Sequence, residues 1–327
     1  MPFINPFGFT PNVTVKTTKG SGTGAQNKTP VTSPRAPAPQ QPTFAATDTT
    51  WIWTDQKSLT TALVQGGTIQ LPQQSIIEVD LSVSETITGT VSNTTIDVAH
   101  VVDHIEFIDG DSGQQISSIP GGTYLYDHLV RFYPVKGAYT GYSGSALANA
   151  VGTSATSATA VLRIPVQIPA PQTSPHKMTI YYATLATATG SATSNAITVD
   201  VQVKYGDAPN GWLCIRSQTV NLVSGTYFLN QLAIPANVPI AELFMRTGST
   251  SSITSIQILT GSTSVVPTQK TAFIVARDSA DFGTALQAQT LILDLGTTWA
   301  IGPTSQMYVV CSGAITGENL VWAWFSG

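Results

Sequence analysis

The sequence predicts an all-β chain: two eight-stranded β-barrels in tandem, with short helical excursions, behind a flexible N-terminal arm. Three observations predict it. Alternation of apolar and polar residues with a period of two dominates from Thr68 onward, clusters of Gly, Pro, Ser and Asn break it at short intervals, and the two halves of the chain repeat one another's pattern. At 327 residues the chain suits two domains of about 100 to 150 residues each. The expected division is an arm over 1–47, a first barrel over 48–206 and a second over 207–327.

The arm comes first. It contains Lys16, Lys19, Lys28 and Arg35, no acidic residue, and eight of the chain's 20 prolines. Because the whole chain is formally −4, a basic arm stands against an acidic body. The middle of the arm, TTKGSGTGAQNKTPVTSPRAPAPQQP, has too little apolar surface to repay the entropy of folding, so it is expected to order only against a partner. The opening MPFINPFGF holds three phenylalanines and reads as an apolar plug for a neighbouring subunit or a lipid surface.

In the body, the clearest strand patterns of the first half are 75–87, 95–102, 104–108, 160–168, 178–185 and 197–205. A second set covers 212–222, 240–246, 253–259, 271–277, 290–295, 307–311 and 319–325. The sets correspond. HIEFIDGDSGQQI from His104 parallels SIQILTGSTSVV from Ser255, and each hairpin leads to a proline, Pro120 or Pro267. Helix-compatible segments follow at 123–133 and 279–289, and 134–158 reads as an exposed loop. TAVLRIPVQI then matches AQTLILDL, KMTIYYATL matches QMYVVCSGA, and ITVDVQVKYG matches LVWAWFSG. About eight strands per half with one longer excursion fit a jelly roll better than a meander or propeller. The turn chemistry of YGDAPNG, 205–211, marks the boundary.

Composition narrows function. Only 10% of residues are charged, against roughly 25% in a typical soluble protein, which favours a chain that ends inside an assembly. No run of about 18 apolar residues and no export signal is present, so synthesis and folding inside a cell are expected. Cys214 and Cys311 each lie in a β-patterned run and read as buried, reduced thiols.

The acidic residues are densest between Asp97 and Asp111, alongside His100 and His104. HVVDH lacks the glutamate of a zinc-binding H-E-x-x-H and does not have helical spacing. Asp109 and Asp111 could hold calcium, but Asp-Gly is a common hairpin turn and the glutamate that ends an EF-hand loop is missing. The glycines of KGSGTG lack the Lys-Ser/Thr of a phosphate loop, and no nucleophile elbow exists. No cofactor and no catalytic residue is expected. Trp322 and Trp324 alternate on one face of the last strand and read as core or inter-barrel seam.

The tandem halves, each with its hairpin and helix-compatible segment (104–133 and 255–289), and the N-terminal arm together resemble the major capsid proteins of the double jelly-roll lineage. These build the shells of icosahedral phages with an internal membrane. The resemblance is architectural, spans roughly residues 50–327, and rests on no signature motif. Its Thr, Ser, Ala and Gly-rich loops are similar to those of lipid-containing phages of aquatic bacteria, Flavobacterium among the hosts. The resemblance implies a non-enzymatic virion protein, a homotrimer of pseudo-hexagonal outline that tiles a lattice with minor capsid and vertex proteins and is made in the host cytoplasm. It also implies that the arm faces inward. There Lys16, Lys19, Lys28 and Arg35 would meet anionic lipid headgroups or the genome, without sequence-specific nucleic-acid recognition. The rival readings are a receptor-binding or lectin-like β-sandwich and an enzyme built from two jelly rolls.

Overall fold

The computed structural model describes residues 49–89, 98–122, 124–125, 142–143, 157–206, 212–228, 231, 240–246, 253–270, 274, 290–294 and 304–326. In the first half these form β1 (Thr49–Ser58), β2 (Val64–Gln70), β3 (Ile76–Thr88), β4 (Val102–Ile108), β5 (Gln115–Pro120), β6 (Tyr142–Ser143), β7 (Ser157–Ile168), β8 (Lys177–Tyr182) and β9 (Ser194–Tyr205). The second half has β10 (Trp212–Leu222), β11 (Gly225–Phe228), β12 (Ile240–Arg246), β13 (Ile253–Thr260), β14 (Thr263–Lys270), β15 (Thr290–Asp294), β16 (Ser305–Cys311) and β17 (Ile315–Ser326).

Alternation explains why these segments are strands. In β9, Ile197, Val199, Val201 and Val203 are buried, while Thr198, Asp200, Gln202 and Lys204 take the opposite face. β3 repeats this with Val79, Leu81 and Val83, all fully buried. Each such side chain stabilises the fold by about 1.5–3 kcal/mol relative to exposure.

Among the described residues every strand pairing is antiparallel. The sheets run β1-β9-β3-β7-β6 and β2-β8-β4-β5 in the first half, then β10-β17-β12-β15 and β11-β16-β13-β14 in the second. With the short β6 set aside and strands renumbered within each half, both halves have one sheet ordered 1-8-3-6 and another ordered 2-7-4-5. In that order each sheet's strands come from distant parts of the half, and the chain crosses repeatedly between sheets, which is the jelly roll. The segment correspondences legible in the sequence hold strand by strand: β4–β5 with β13–β14, β7 with β15, β8 with β16, β9 with β17.

Several expectations need correction. Among the described residues strands already run from Thr49, ahead of the alternation that is clear only from Thr68, because β1 and β2 break simple alternation: β1 has a register shift between Trp51 and Trp53, and β2 has one between Gln65 and Thr68. Within the expected strand 95–102, Val98–Val101 is a 3-10 turn leading into β4. The strand expected over 178–185 stops at Tyr182, because Thr184 caps a helix, α1 (Leu185–Thr189): its hydroxyl accepts from the Thr187 amide, and Gly190 at φ 78° ends it. Within the loop expected over 134–158, Tyr142 and Ser143 pair with Leu162 and Val161 of β7. Of the helix-compatible 123–133 only Tyr124 and Leu125 are described, and both are buried. The segment 279–289 lies outside the described residues, as does all of 271–277 except Ile274.

Two buried clusters fill the halves. Leu81, Ile105, Phe107, Leu162, Ile164, Met178 and Tyr182 centre the first, and Leu243, Ile256, Ile258, Met307, Leu320 and Trp322 centre the second. Ile215, Val321 and Ala323, although on β10 and β17, belong to the first cluster. The halves therefore meet along a packed apolar seam.

Candidate assembly surface and polar clusters

The seam follows from β17 being apolar on both faces. Leu320 and Trp322 face the core of their own half, with Trp324 packed against it, while Val321 and Ala323 face the other half. β9, its counterpart, carries Asp200 and Gln202 at those outward positions. A strand that is apolar throughout is one covered on both sides. At the seam β5 lies along β10. The Ile215 amide donates to Ser117 Oγ at 3.0 Å, and the Arg216 guanidinium donates to the Gln115 carbonyl at 2.5 Å. The Arg216 guanidinium carbon stands 6.0 Å from the centroid of the Trp324 ring.

Asp109 and Asp111 lie in the turn between β4 and β5 and serve as local acceptors. Asp109 accepts from the amides of Asp111 and Ser112 and from the Ser112 hydroxyl. Burial pushes its carboxyl up, but those hydrogen bonds outweigh it and hold the group below its usual range. Asp111 reaches across to the loop before β8. It accepts from the Thr173 hydroxyl at 2.5 Å and from the amides of Gln172, Thr173 and Ser174 at 2.7–2.9 Å. That ring of donors holds its carboxyl far below the usual range, the Thr173 hydroxyl contributing most. The two carboxylates thus face different sets of N–H and O–H donors. Donor hydrogens around a carboxylate present positive charge where a cation would need oxygens. Buried His176 braces the same corner: Nδ1 accepts from the Gly110 amide at 3.0 Å, and Nε2 stands 3.1 Å from the Pro169 carbonyl.

His104 and His100 are separated by structure. His100 is in the 3-10 turn, whereas His104, on β4, stacks on Tyr181 with centroids 4.2 Å apart and pairs through Nδ1 with Asp103 at 2.6 Å. Among the described residues no group of three or more His, Cys, Asp or Glu is placed to hold a metal ion. Cys214 is buried and Cys311 half-buried, neither of them in a disulfide, and burial raises the Cys311 thiol. Lys16, Lys19, Lys28 and Arg35 lie outside the described residues.

Two further polar clusters had no motif to announce them. On the outward face of β3, Glu78 is clamped by Arg163 of β7, with contacts of 3.0, 3.1 and 3.2 Å, and by Lys204 of β9. Asp80, two residues on, is pushed up to about 6 by burial first and by the Glu78 charge second, against the pull of Lys204 3.3 Å away. Inside the first half, the Tyr182 hydroxyl donates to Asp55 at 3.1 Å, and burial followed by the Asp55 charge raises that phenol well above its ordinary value. The signal that could have found the first cluster is i, i+2 spacing of Glu78 and Asp80 on a strand whose alternate positions are core.

No protein-family model matches the sequence, and no curated protein does. Solved structures do. The chain is similar to the protein in the atomic structure of Sulfolobus Turreted Icosahedral Virus, at 12% identity and a TM-score of 0.57, over 84% of this chain and 90% of that one. The crystal structure of the STIV MCP matches at 12% identity and a TM-score of 0.56, over 84% and 95%. PBCV-1 VP54, fitted into a reconstruction of the virophage Sputnik, matches at 11% identity and a TM-score of 0.51, over 84% and 94%. The chain is therefore an all-β protein with the double jelly-roll fold. Of these neighbours, one is named for an icosahedral virus and another as the MCP of STIV.

Proposed function

We propose that this chain is a viral major capsid protein, a structural virion component that self-assembles as trimers of pseudo-hexagonal outline into an icosahedral shell over an internal membrane. The observation that carries this reading is the repeated strand order, 1-8-3-6 over 2-7-4-5 in both halves, joined by a buried seam. Two equivalent units in one chain let three copies approximate sixfold shape under closed threefold symmetry, so a single gene product can tile a lattice. The neighbours named for an icosahedral virus and an MCP support it. In this reading the chain is not an enzyme and carries no cofactor. Residues 48–206 and 207–327 are the two barrels, and the arm 1–47 lies on the inner side. Its four basic residues would contribute roughly 1 kcal/mol each at an anionic lipid surface. Minor capsid and vertex proteins would complete the shell, and assembly would take place in the host cytoplasm.

The test is the mass and shape of the purified protein in solution. Light scattering should give about three times 34.4 kDa, and negative-stain images should show hexagonal plates or closed shells. A stable monomer would overturn the reading.

A further inference from the structure

We propose that the outward face of the sheet β11-β16-β13-β14 is a dock for the apolar segment 1–9 of the arm of the same chain.

Alternation defines that face. Ile256, Ile258, Met307 and Val309 are buried, so Gln257, Gln306 and Tyr308 take the other side, with Phe228 beside them on β11. Strands β11, β13 and β16 contain no Asp, Glu, Lys, Arg or His anywhere along their length. Lys270 of β14, opposite Ser255, brings one charged residue to a corner of the sheet.

The equivalent sheet of the first half is built differently. Met307 pairs with Ile258 as Met178 pairs with Phe107, so Tyr308 holds the position of Thr179, Gln306 that of Lys177 and Gln257 that of Glu106. Phe228, opposite Gln306, holds the position of Gln70, opposite Lys177. Where the first half has a cation and a carboxylate, the second has two amides, and two aromatic rings have been added. Exposure runs against that change: Thr179 is 2% exposed, whereas Tyr308 and Phe228 are 39% and 41% exposed. An uncharged aromatic surface that the body leaves open has the character of an interface core.

The arm holds a segment that matches it. Residues 1–15 contain no ionisable side chain, and Phe3, Ile4, Phe7 and Phe9 fall within the first nine. The basic residues of the arm follow only from Lys16 onward, so the segment meets the face with no charge to desolvate. The tether from Phe9 to Thr49, where β1 begins, is long enough. A flexible chain of that length spans about 35 Å on average and up to roughly 130 Å when extended, which reaches the second half of its own chain. Tethering also sets an effective concentration in the millimolar range, so a weak apolar contact suffices. This docking is a property of one chain and stands whether or not copies assemble.

The test uses the full chain with Phe7→p-benzoylphenylalanine, irradiated and digested, with the joined peptides read by mass spectrometry. Docking predicts cross-links into 225–228, 253–260 or 305–311, formed within single chains when isotopically labelled and unlabelled protein are mixed and re-equilibrated. Cross-links into the first half, cross-links between labelled and unlabelled chains, capture by phosphatidylcholine vesicles in place of the face, or no cross-link at all would each overturn it. Tyr308→Arg should lower the yield about tenfold or more with the circular dichroism unchanged, whereas Gln56→Arg, exposed on β1, should leave it as it was. As a second measurement, removing residues 1–9 should speed nitration of Tyr308 by tetranitromethane about tenfold or more, and an unchanged rate overturns the docking. A monomer that gives the expected cross-links removes the assembly reading and leaves this one standing; a trimer without them does the reverse.

Discussion

Asp80 and Glu78 stand two residues apart on β3, both nearly buried, and share the charges of Arg163 and Lys204. The two carboxylates are not equivalent. Glu78 takes the bidentate guanidinium, while Asp80 Oδ1 is buried without a hydrogen-bond partner. With its folded value raised to about 6 from 3.8, Asp80 binds a proton more readily folded than unfolded. Its ionisation therefore opposes folding. Stability contributed by the protonated form is present below about pH 4 and is lost as pH rises through about 6. Asp80→Asn should raise stability at pH 8 by on the order of 1 kcal/mol, after allowance for partial exposure, and flatten the dependence between about pH 4 and 6. Chemical denaturation of both proteins across that range checks it; a less stable variant at pH 8 would show that the Lys204 contact outweighs desolvation. None of this was legible from residue types alone, because alternation marked Asp80 as outward and only its neighbours on β7 and β9 make that position dry.

At the scale of elements, the hairpin β4–β5 shows how closely the backbone must approach. A Cβ on Gly121, just after β5, would lie 1.7 Å from the Val102 carbonyl oxygen, and the Gly121 amide already donates to the Asp103 carbonyl at 2.7 Å. The obstacle is backbone, which cannot rotate away as a side chain would. Gly121→Ala should therefore cost about 3 kcal/mol or more, measured as a lowered midpoint in denaturant or as insoluble expression, while Gly113→Ala meets no atom and should lose less. The second comparison is not free of strain, since Gly113 has φ 70°. Strongly alternating elements such as β3, β9 and β13 could be read from sequence because one face was core and the other was not. β1 and β2 could not, because register shifts at Trp51/Trp53 and Gln65/Thr68 break the period that makes a strand visible.

For the whole molecule, the charge asymmetry between arm and body gives the remaining prediction. Removing residues 1–42, which hold Lys16, Lys19, Lys28 and Arg35, should leave the trimer intact and impair association with anionic vesicles or with particles. Co-sedimentation with vesicles, with and without the arm, measures it, and truncated protein that still forms normal lipid-filled particles would refute the arm's role. The all-β class, the tandem halves and the equivalence of their hairpins were determined by sequence alone, since period-two burial and turn residues act locally and leave their mark at every strand. The shared face of Trp322 and Trp324 was legible too, as core or inter-barrel seam, but it was the structure that put that face in the core of its own half and gave the seam to Val321 and Ala323 on the other. Only the tertiary structure decided which strands lie side by side, that Ser117 meets Ile215, and that Asp80 is buried. Those facts join residues about a hundred positions apart, and a local pattern carries no information about a partner whose position depends on the path of the whole chain.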